Sequence, residues 1–170
     1  MTQSQLELRR SVWDLRSREL QEFDFPQALR ASAQQAADNA KLKLEVEIKG
    51  RVRPIPEVAE DNLLRISQEA MTNVMKHAQA TRVDVLLEFR EHDILLRISD
   101  DGRGFDPKNC PGSDQGHFGL PCMAERAKRL GGEWEITSSP GHGARVEARI
   151  PVGVANGNGS GAGANQKASV

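Results

Sequence analysis

Glu69, Asn73, Lys76 and His77 stand at i, i+4, i+7 and i+8 in the segment Ser67-Gln-Glu-Ala-Met-Thr-Asn-Val-Met-Lys-His-Ala78. On a helix that spacing stacks all four near one side over two turns. An amide oxygen and a carboxylate beside two cationic groups can hold a hydrated magnesium ion and the phosphates it bridges. Magnesium prefers oxygen ligands, keeps several waters and often takes only one or two ligands from protein. The plain alternative is a solvated helix face with salt links, Glu69 to Lys76 among them.

Two further segments carry chemistry. Ile98-Ser-Asp-Asp-Gly-Arg-Gly-Phe105 leaves a strand and enters two glycines, Gly102 and Gly104, which permit close backbone approach. Asp100, at the strand end and partly buried, can accept a hydrogen bond from an exocyclic amine such as that of adenine. Read alone, the segment is also a simple Asp-Gly turn. Gly116-His-Phe-Gly-Leu120 then precedes a helix. The first turn of a helix presents free N–H groups and a positive dipole end, a natural seat for phosphate. Without that context it is an ordinary loop with glycine hinges. Between the two glycine turns lie Pro107, Pro111, Gly112 and Ser113, a composition that suits a mobile lid over a ligand. No one of these segments is specific; their joint order and spacing is.

These residues need a scaffold, and the rest of the chain reads as one. Pro26 fits the first turn of a helix through about Asn39. Leu44, Val46 and Ile48 alternate with charges as in a half-buried strand ended by Gly50 and a Pro54-Ile-Pro56 turn. A long helix follows over about 57–78, with Leu63, Ile66, Ala70, Val74 and Ala78 facing a core. Val83 to Phe89 and Ile94 to Ile98 alternate as two strands around a Glu91-His-Asp93 hairpin link. Leu120, Met123, Ala127 and Leu130 mark another helix, closed by Gly131-Gly132. Trp134 and Ile136 alternate with glutamates, Pro140-Gly-His-Gly143 turns, and Ala144 to Ile150 is the clearest strand of all. About five strands with one apolar face and about three helices to cover it make an α+β two-layer sandwich with one side of the sheet wet.

The flanks differ. Residues 3–22 have helical character, with Leu8, Val12 and Leu15 beside Leu6, Trp13 and Leu20 in a wide apolar arc. Such a helix packs on its own domain or is the end of a longer helix that pairs with another chain. Residues 153–170 are rich in Gly, Asn and Ala, cannot offset their ordering entropy by burial, and read as a disordered tail. About 150 of the 170 residues therefore belong to one domain of ordinary size.

Composition narrows the partners. Charged residues make up 28% and the net charge is −1, which gives no electrostatic reason to expect nucleic acid or an anionic membrane. No apolar run reaches the roughly 18–20 residues of a membrane span. Met1-Thr-Gln-Ser-Gln5 lacks a signal pattern. Cys110 and Cys122 read as reduced cytoplasmic thiols, since a chain of this size buries a core without a staple. There is no Gly-x-x-x-x-Gly-Lys-Ser/Thr loop, no strand-borne Gly-x-Gly-x-x-Gly in the folded region and no His-Glu-x-x-His, so a P-loop and a zinc site are not expected.

In combination the segments resemble the catalytic ATP-binding domain of bacterial two-component sensor histidine kinases, the subfamily that pairs with helix-turn-helix response regulators. Gln68 to Ala78 is similar to the family's N box, Asp100-Asp-Gly-Arg-Gly-Phe105 to its first glycine box, and Gly116 to Leu120 with Met123, Glu125 and Arg126 to its second. Ser139-Pro-Gly-His-Gly143 with Val146 resembles its closing strand. Arg9-Arg-Ser-Val-Trp-Asp-Leu-Arg16 resembles the end of the second dimerisation helix. The resemblance implies a Bergerat fold, with a mixed, mostly antiparallel sheet covered on one face. It implies three parts: 1–22 as the end of a dimerisation helix, 23–152 as the catalytic domain and 153–170 as the tail.

It also implies roles. Asn73 would ligate Mg2+, and Glu69 would orient a magnesium-bound water or help polarise the acceptor. Lys76 and His77 would face the phosphates of ATP. Asp100 would read the adenine amine, with Gly102 and Gly104 letting the ring approach. Gly116 and Gly119 would hinge the lid and present N–H groups to phosphate, and Leu120 would join the ATP-binding set. The implied partners are the dimerisation and phosphoacceptor domain of the same kinase, a response regulator with helix-turn-helix output, and a second copy as a homodimer. The expected setting is cytoplasmic, with a full-length parent that can carry a membrane anchor.

The sequence departs from the family pattern at three points. Glu69 stands where many members have asparagine, and Ala144 where threonine is usual. No histidine precedes His77, so the acceptor histidine is expected on another segment. A serine kinase of the anti-sigma type and a nucleotide-sensing module without transfer activity remain as alternatives on the same fold. The Trp13 helix argues against the first.

Overall fold

The computed structural model describes residues 24–107 and 119–153. The helix expected over residues 3–22, the lid between the glycine turns and, beyond Gly153, the tail lie outside the described residues.

The order of elements is α1 (Phe25–Ala40), β1 (Lys43–Gly50), α2 (Glu57–Asn73, continued by a π-helical turn Val74–Ala78), β2 (Arg82–Phe89), β3 (Asp93–Asp100), α3 (Gly119–Arg129), β4 (Glu133–Ser138) and β5 (Ala144–Pro151). The five strands form one sheet in the order β1-β2-β3-β5-β4. β1 runs parallel to β2, and every other pair is antiparallel. That is the mixed, mostly antiparallel sheet expected. The parallel pair follows from α2, a crossover long enough to return the chain to the same end of the sheet.

Local chemistry starts and stops the elements. The Asp24 carboxylate accepts from the Gln27 N–H at 3.1 Å and so caps α1, and proline occupies its first turn. Lys41, in the left-handed region at φ 56°, ends it. The three small residues Ala28, Ala33 and Ala37, all buried, let α1 lie close to its neighbours. The expected helix over 57–78 is α-helical only to Asn73. Its last turn, Val74–Ala78, is π-helical, and Gln79 reverses the chain at φ 52°. One widened turn shifts the facing of every residue after it, which is why a strictly 3.6-residue reading places Lys76 and His77 only approximately.

Alternation in the strands decides the core. Val83, Val85, Leu87, Ile94, Leu96 and Ile98 are at most 2% exposed and meet Leu63, Ile66, Ala70 and Met71 of α2 and Met123 and Ala127 of α3 in one cluster. The opposite face bears no helix among the described residues. It carries a lattice of exposed and half-buried ion pairs, including Arg82 with Glu45 (2.6 Å) and with Asp84 (2.8 Å), Arg90 with Glu88 (2.7 Å), and Arg97 with Glu147. This face is less wet than alternation implies. Leu95 points to it, yet is only 1% exposed. It lies between Glu88 and Arg149 in the ladder, and long charged side chains bury their stems over such a neighbour.

The two faces should respond differently to truncation. Leu96→Ala is expected to lower unfolding free energy by about 2–5 kcal/mol, the range for a fully buried leucine. Glu45→Ala should leave the urea midpoint unchanged within error, because exposed ion pairs are screened. Equal losses for both variants, measured by urea denaturation, would contradict the one-sided core.

Candidate functional site

The apolar stripe of α2 lies on the sheet, so the residues bordering it arrive at the sheet's end together. There the helix layer parts and leaves a cavity of ≈ 450 Å³, within the usual range for small-molecule sites. Asn73, Val74, His77 and Ala78 line it from α2, Asp100, Arg103, Gly104 and Phe105 from the end of β3 and its loop, and Gly119 and Leu120 from the start of α3. Ile98, Ile136 and Val146 of the sheet form an apolar floor. A flat ring fits such a floor, with polar groups at its rim to fix its orientation.

Of the predicted residues, Asn73, His77, Asp100, Gly104, Gly119 and Leu120 thus border one space. Glu69 does not line the cavity but stands just behind it. A β-carbon on Gly119 would collide with the Glu69 carboxylate and come within 3.2 Å of Asn73 Nδ2. Glu69, Asn73 and the first turn of α3 are therefore immediate neighbours. Lys76 is exposed and outside the cavity wall. No ion pair joins it to Glu69 among the described residues, so the salt-link alternative is not realised there. Gly102 is buried behind the wall against Ala78. Gly104 takes φ +60°, and a β-carbon there would strike the Ser139 carbonyl, so both its conformation and its surroundings require glycine. Gly116 lies outside the described residues.

Two adjacent aspartates face opposite ways, as neighbours in an extended segment must. Asp100 accepts from the Gly102 N–H at 2.8 Å and from the Ala144 N–H. Burial nevertheless raises its pKa, and the two N–H groups only partly offset that. Asp101 turns outward and back. It accepts from the Thr81 hydroxyl at 2.6 Å, the Thr81 N–H at 2.8 Å and the Arg82 N–H at 2.9 Å. Those bonds, the hydroxyl first, lower its pKa from 3.8 to about 2.

Sequence reasoning missed Arg103 and the apolar floor as parts of the site, and the outward-facing Asp101 beside it. The floor was within reach, since Ile98, Ile136 and Val146 all occupy inward positions of their strands. Nothing in the residue types announces the π turn. Farther along α2 and α3, burial and the nearby Arg65 lower the Arg126 pKa, and Arg126 donates to the Asn62 side chain at 3.4 Å. That contact helps dock α3 on α2. Cys122 is a free, exposed thiol.

Comparison with known proteins follows this geometry. Residues 58–154 match the family described as histidine kinase-, DNA gyrase B-, and HSP90-like ATPase. The chain belongs to this family. ATP binding comes with membership of an ATPase family. The domain is 34% identical over 149 residues to the sensor protein VraS of Staphylococcus epidermidis, covering 88% of this chain and 41% of the relative. Against VraS of Staphylococcus saprophyticus it is 40% identical over 98 residues, 58% of this chain and 27% of the relative. The chain thus spans less than half of the length of these relatives. Among solved structures, the histidine kinase domain of the Erythrobacter litoralis EL346 blue-light activated histidine kinase superposes with a TM-score of 0.60 at 22% identity, over 75% of this chain and 61% of that one. Histidine kinase AdeS of Acinetobacter baumannii superposes at 0.55 and 15% identity, over 72% and 60% of the two chains. The ATPase domain therefore has the fold that the resemblance implied. No described helix is long and apolar enough to cross a membrane.

The two aspartates carry opposite pH signatures. With a raised folded-state pKa, ionised Asp100 subtracts from stability, and the penalty is relieved as pH falls through that pKa. Asp101, with a lowered one, contributes in full above its unfolded value of 3.8, and that contribution disappears as pH falls to about 2. A carboxyl-detected NMR titration should place the Asp100 midpoint above 3.8 and the Asp101 midpoint near 2. The reverse order would refute the assignment of burial to one and hydrogen bonding to the other.

Proposed function

We propose that this domain holds ATP and magnesium in the cavity and transfers the γ-phosphoryl group to a histidine outside this chain, for relay to a response regulator with helix-turn-helix output. The observation that carries the reading is that Asn73 and His77 of α2 and Asp100 of β3 line one cavity. A nucleotide needs a base-reading group and a phosphate-holding group at the two ends of one space.

The donor set fits the metal. The Asn73 side chain stands beside Glu69 and the first turn of α3, and an amide oxygen with one nearby carboxylate is the sparse oxygen environment that magnesium accepts. Asn73 would hold the ion, which supplies charge neutralisation across the phosphates. Glu69 would orient a magnesium-bound water or polarise the incoming imidazole. His77, at the rim, and Lys76, one turn position away, would meet the phosphates. The N–H groups at the start of α3 point their dipole at the same charge. At the other end, Asp100 uses two accepted N–H bonds to fix its carboxylate and keeps acceptor capacity for the adenine amine. Phosphoryl transfer asks the protein mainly for positioning and charge stabilisation. The bond from γ-phosphorus to the bridging oxygen breaks and ADP leaves. A bond to the acceptor imidazole nitrogen forms, and the imidazole proton passes to a nearby base. In the intact protein the partner domains would be the dimerisation and phosphoacceptor helices, paired as a homodimer.

Two substitutions test the site. Asp100→Asn should weaken ATP binding on the order of 100-fold, since a charged acceptor is lost at a buried contact. Calorimetry giving wild-type affinity would remove Asp100 from the site. Asn73→Ala should abolish the gain in affinity that magnesium gives, and a gain that persists in the variant would assign the metal elsewhere. The reaction itself is tested with labelled ATP, a separately made phosphoacceptor domain and candidate partner proteins. Label that is acid-labile and base-stable marks histidine; an acid-stable ester marks serine, and no label leaves a nucleotide sensor.

A further inference from the structure

The two ends of the cavity have to be held in register, and what that means for nucleotide selection rests on the function proposed above. The phosphate end rides on the last turns of α2. The base end rides on the loop after β3. These elements are joined in sequence only through the short connection 79–81 and the β2–β3 hairpin, and neither imposes a fixed distance between them. The structure joins them directly. The Arg103 N–H donates to the Ala78 carbonyl at 2.7 Å and so satisfies an acceptor at the end of the helix. The Asp101 N–H donates to the Arg82 carbonyl at 3.3 Å. The Asp101 carboxylate takes the Thr81 hydroxyl and the Thr81 and Arg82 N–H groups. Buried Gly102 lies flat against Ala78.

The connection so gripped is strained. Gln79 sits at φ 52°, a conformation that side chains other than glycine, asparagine and aspartate rarely adopt and that persists where surrounding contacts over-determine it. It follows directly on the π turn that carries Lys76 and His77. Three hydrogen bonds onto Thr81 and Arg82, two and three residues farther on, brace the reversal.

We propose that Asp101 and Thr81 form a positioning clamp that sets the angle and distance between Asp100 and the Asn73–His77 side of the cavity. Asp101 is exposed and points away from the ligand space. It acts on nucleotide selection only through the groups it holds: Asp100 one residue before it, and the helix end that Thr81 anchors. The two aspartates thus divide the work, one meeting the base and the other fixing where that meeting occurs.

The test compares Asp101→Ala, Asp101→Asn and Thr81→Val for binding of ATP and of inosine triphosphate, which lacks the exocyclic amine. Amide exchange in the nucleotide-free protein is measured alongside. Asparagine keeps an oxygen for the two N–H groups and an N–H for the threonine hydroxyl. D101N should therefore bind ATP within about threefold of wild type. D101A should lose about tenfold in ATP affinity or more, and its preference for ATP over inosine triphosphate should fall toward unity. Exchange at the Thr81 and Arg82 amides should accelerate in D101A and not in D101N. T81V keeps the backbone bonds and should lower the ATP preference by a few-fold. It also carries the test if D101A does not fold. The clamp is overturned if folded D101A, or T81V in its place, keeps the wild-type preference. It is overturned equally if D101A weakens both nucleotides by one factor, or if D101N is as impaired as D101A. Wild-type protein that does not prefer ATP over inosine triphosphate would sink the adenine reading of Asp100 instead. The amide-exchange comparison then still decides the clamp.

Discussion

Burial of the α2 stripe against the central strands is the constraint from which the site follows. Leu63, Ile66, Ala70 and Val74 must face the sheet, so the rotation of α2 about its own axis is not free. Once it is fixed, residues one position off the stripe have a fixed bearing too. Glu69 and Asn73 are turned toward the start of α3, and His77 lines the cavity. The site needs no dedicated scaffold, because the same apolar contacts that hold the two layers together aim the polar groups. A change of register between α2 and the sheet would cost core packing before it cost chemistry. That keeps so polar a set of groups in place at the margin of an apolar layer.

Asp100 and Asp101 show how the end of a strand gives one kind of side chain two environments. A carboxylate that reads a ligand has to keep acceptor capacity unfilled, and one that is half-buried does so at an energetic penalty. The upward shift of Asp100 is the sign of that penalty. A carboxylate that holds structure should be saturated with donors, and the downward shift of Asp101 is the sign of that. Strand alternation delivers the two environments to adjacent residues, one toward the cavity and one toward the neighbouring connection.

Much of this was legible in the sequence. The five alternating strands, the helix stripe and the glycine turns at 102–104 and 141–143 each have a period or a residue type tied to a backbone requirement, and these came out with their ends shifted by a residue or two. The grouping of Asn73, His77, Asp100, Gly104, Gly119 and Leu120 was legible only jointly, since each segment alone reads equally well as an ordinary turn or a solvated helix face. The π turn over Val74–Ala78 was not legible. It depends on how the end of α2 meets the loop after β3, a contact made across 20 or more residues of sequence. Of Lys76 and His77, both expected to face the phosphates, only His77 lines the cavity, and Lys76 is exposed beside it. Burial of Leu95 on the helix-free face escaped as well. Alternation reports which way a side chain points, and the stems of Glu88 and Arg149 decide whether water reaches it.

An apolar floor open at one end is surface that a bound base would cover. Ile98, Ile136 and Val146 lie under a space of ≈ 450 Å³ that packed side chains would fill in an ordinary core. The domain tolerates this because the floor is the continuation of a core already closed by α2 and α3 on the other side. Stability and binding are then linked through the same atoms. A base that covers the floor completes the core, and whatever binds only the folded state raises its stability in proportion to occupancy. The elements that would gain most are those at the cavity's edge: the end of α2, the loop after β3 and the start of α3. These are also the elements to which the proposed function assigns the phosphate-facing and base-facing groups. Occupancy of the site and rigidity of the site are for that reason one equilibrium, and the contacts that bind α2 to the β3 loop without a ligand determine how much of that rigidity is present beforehand.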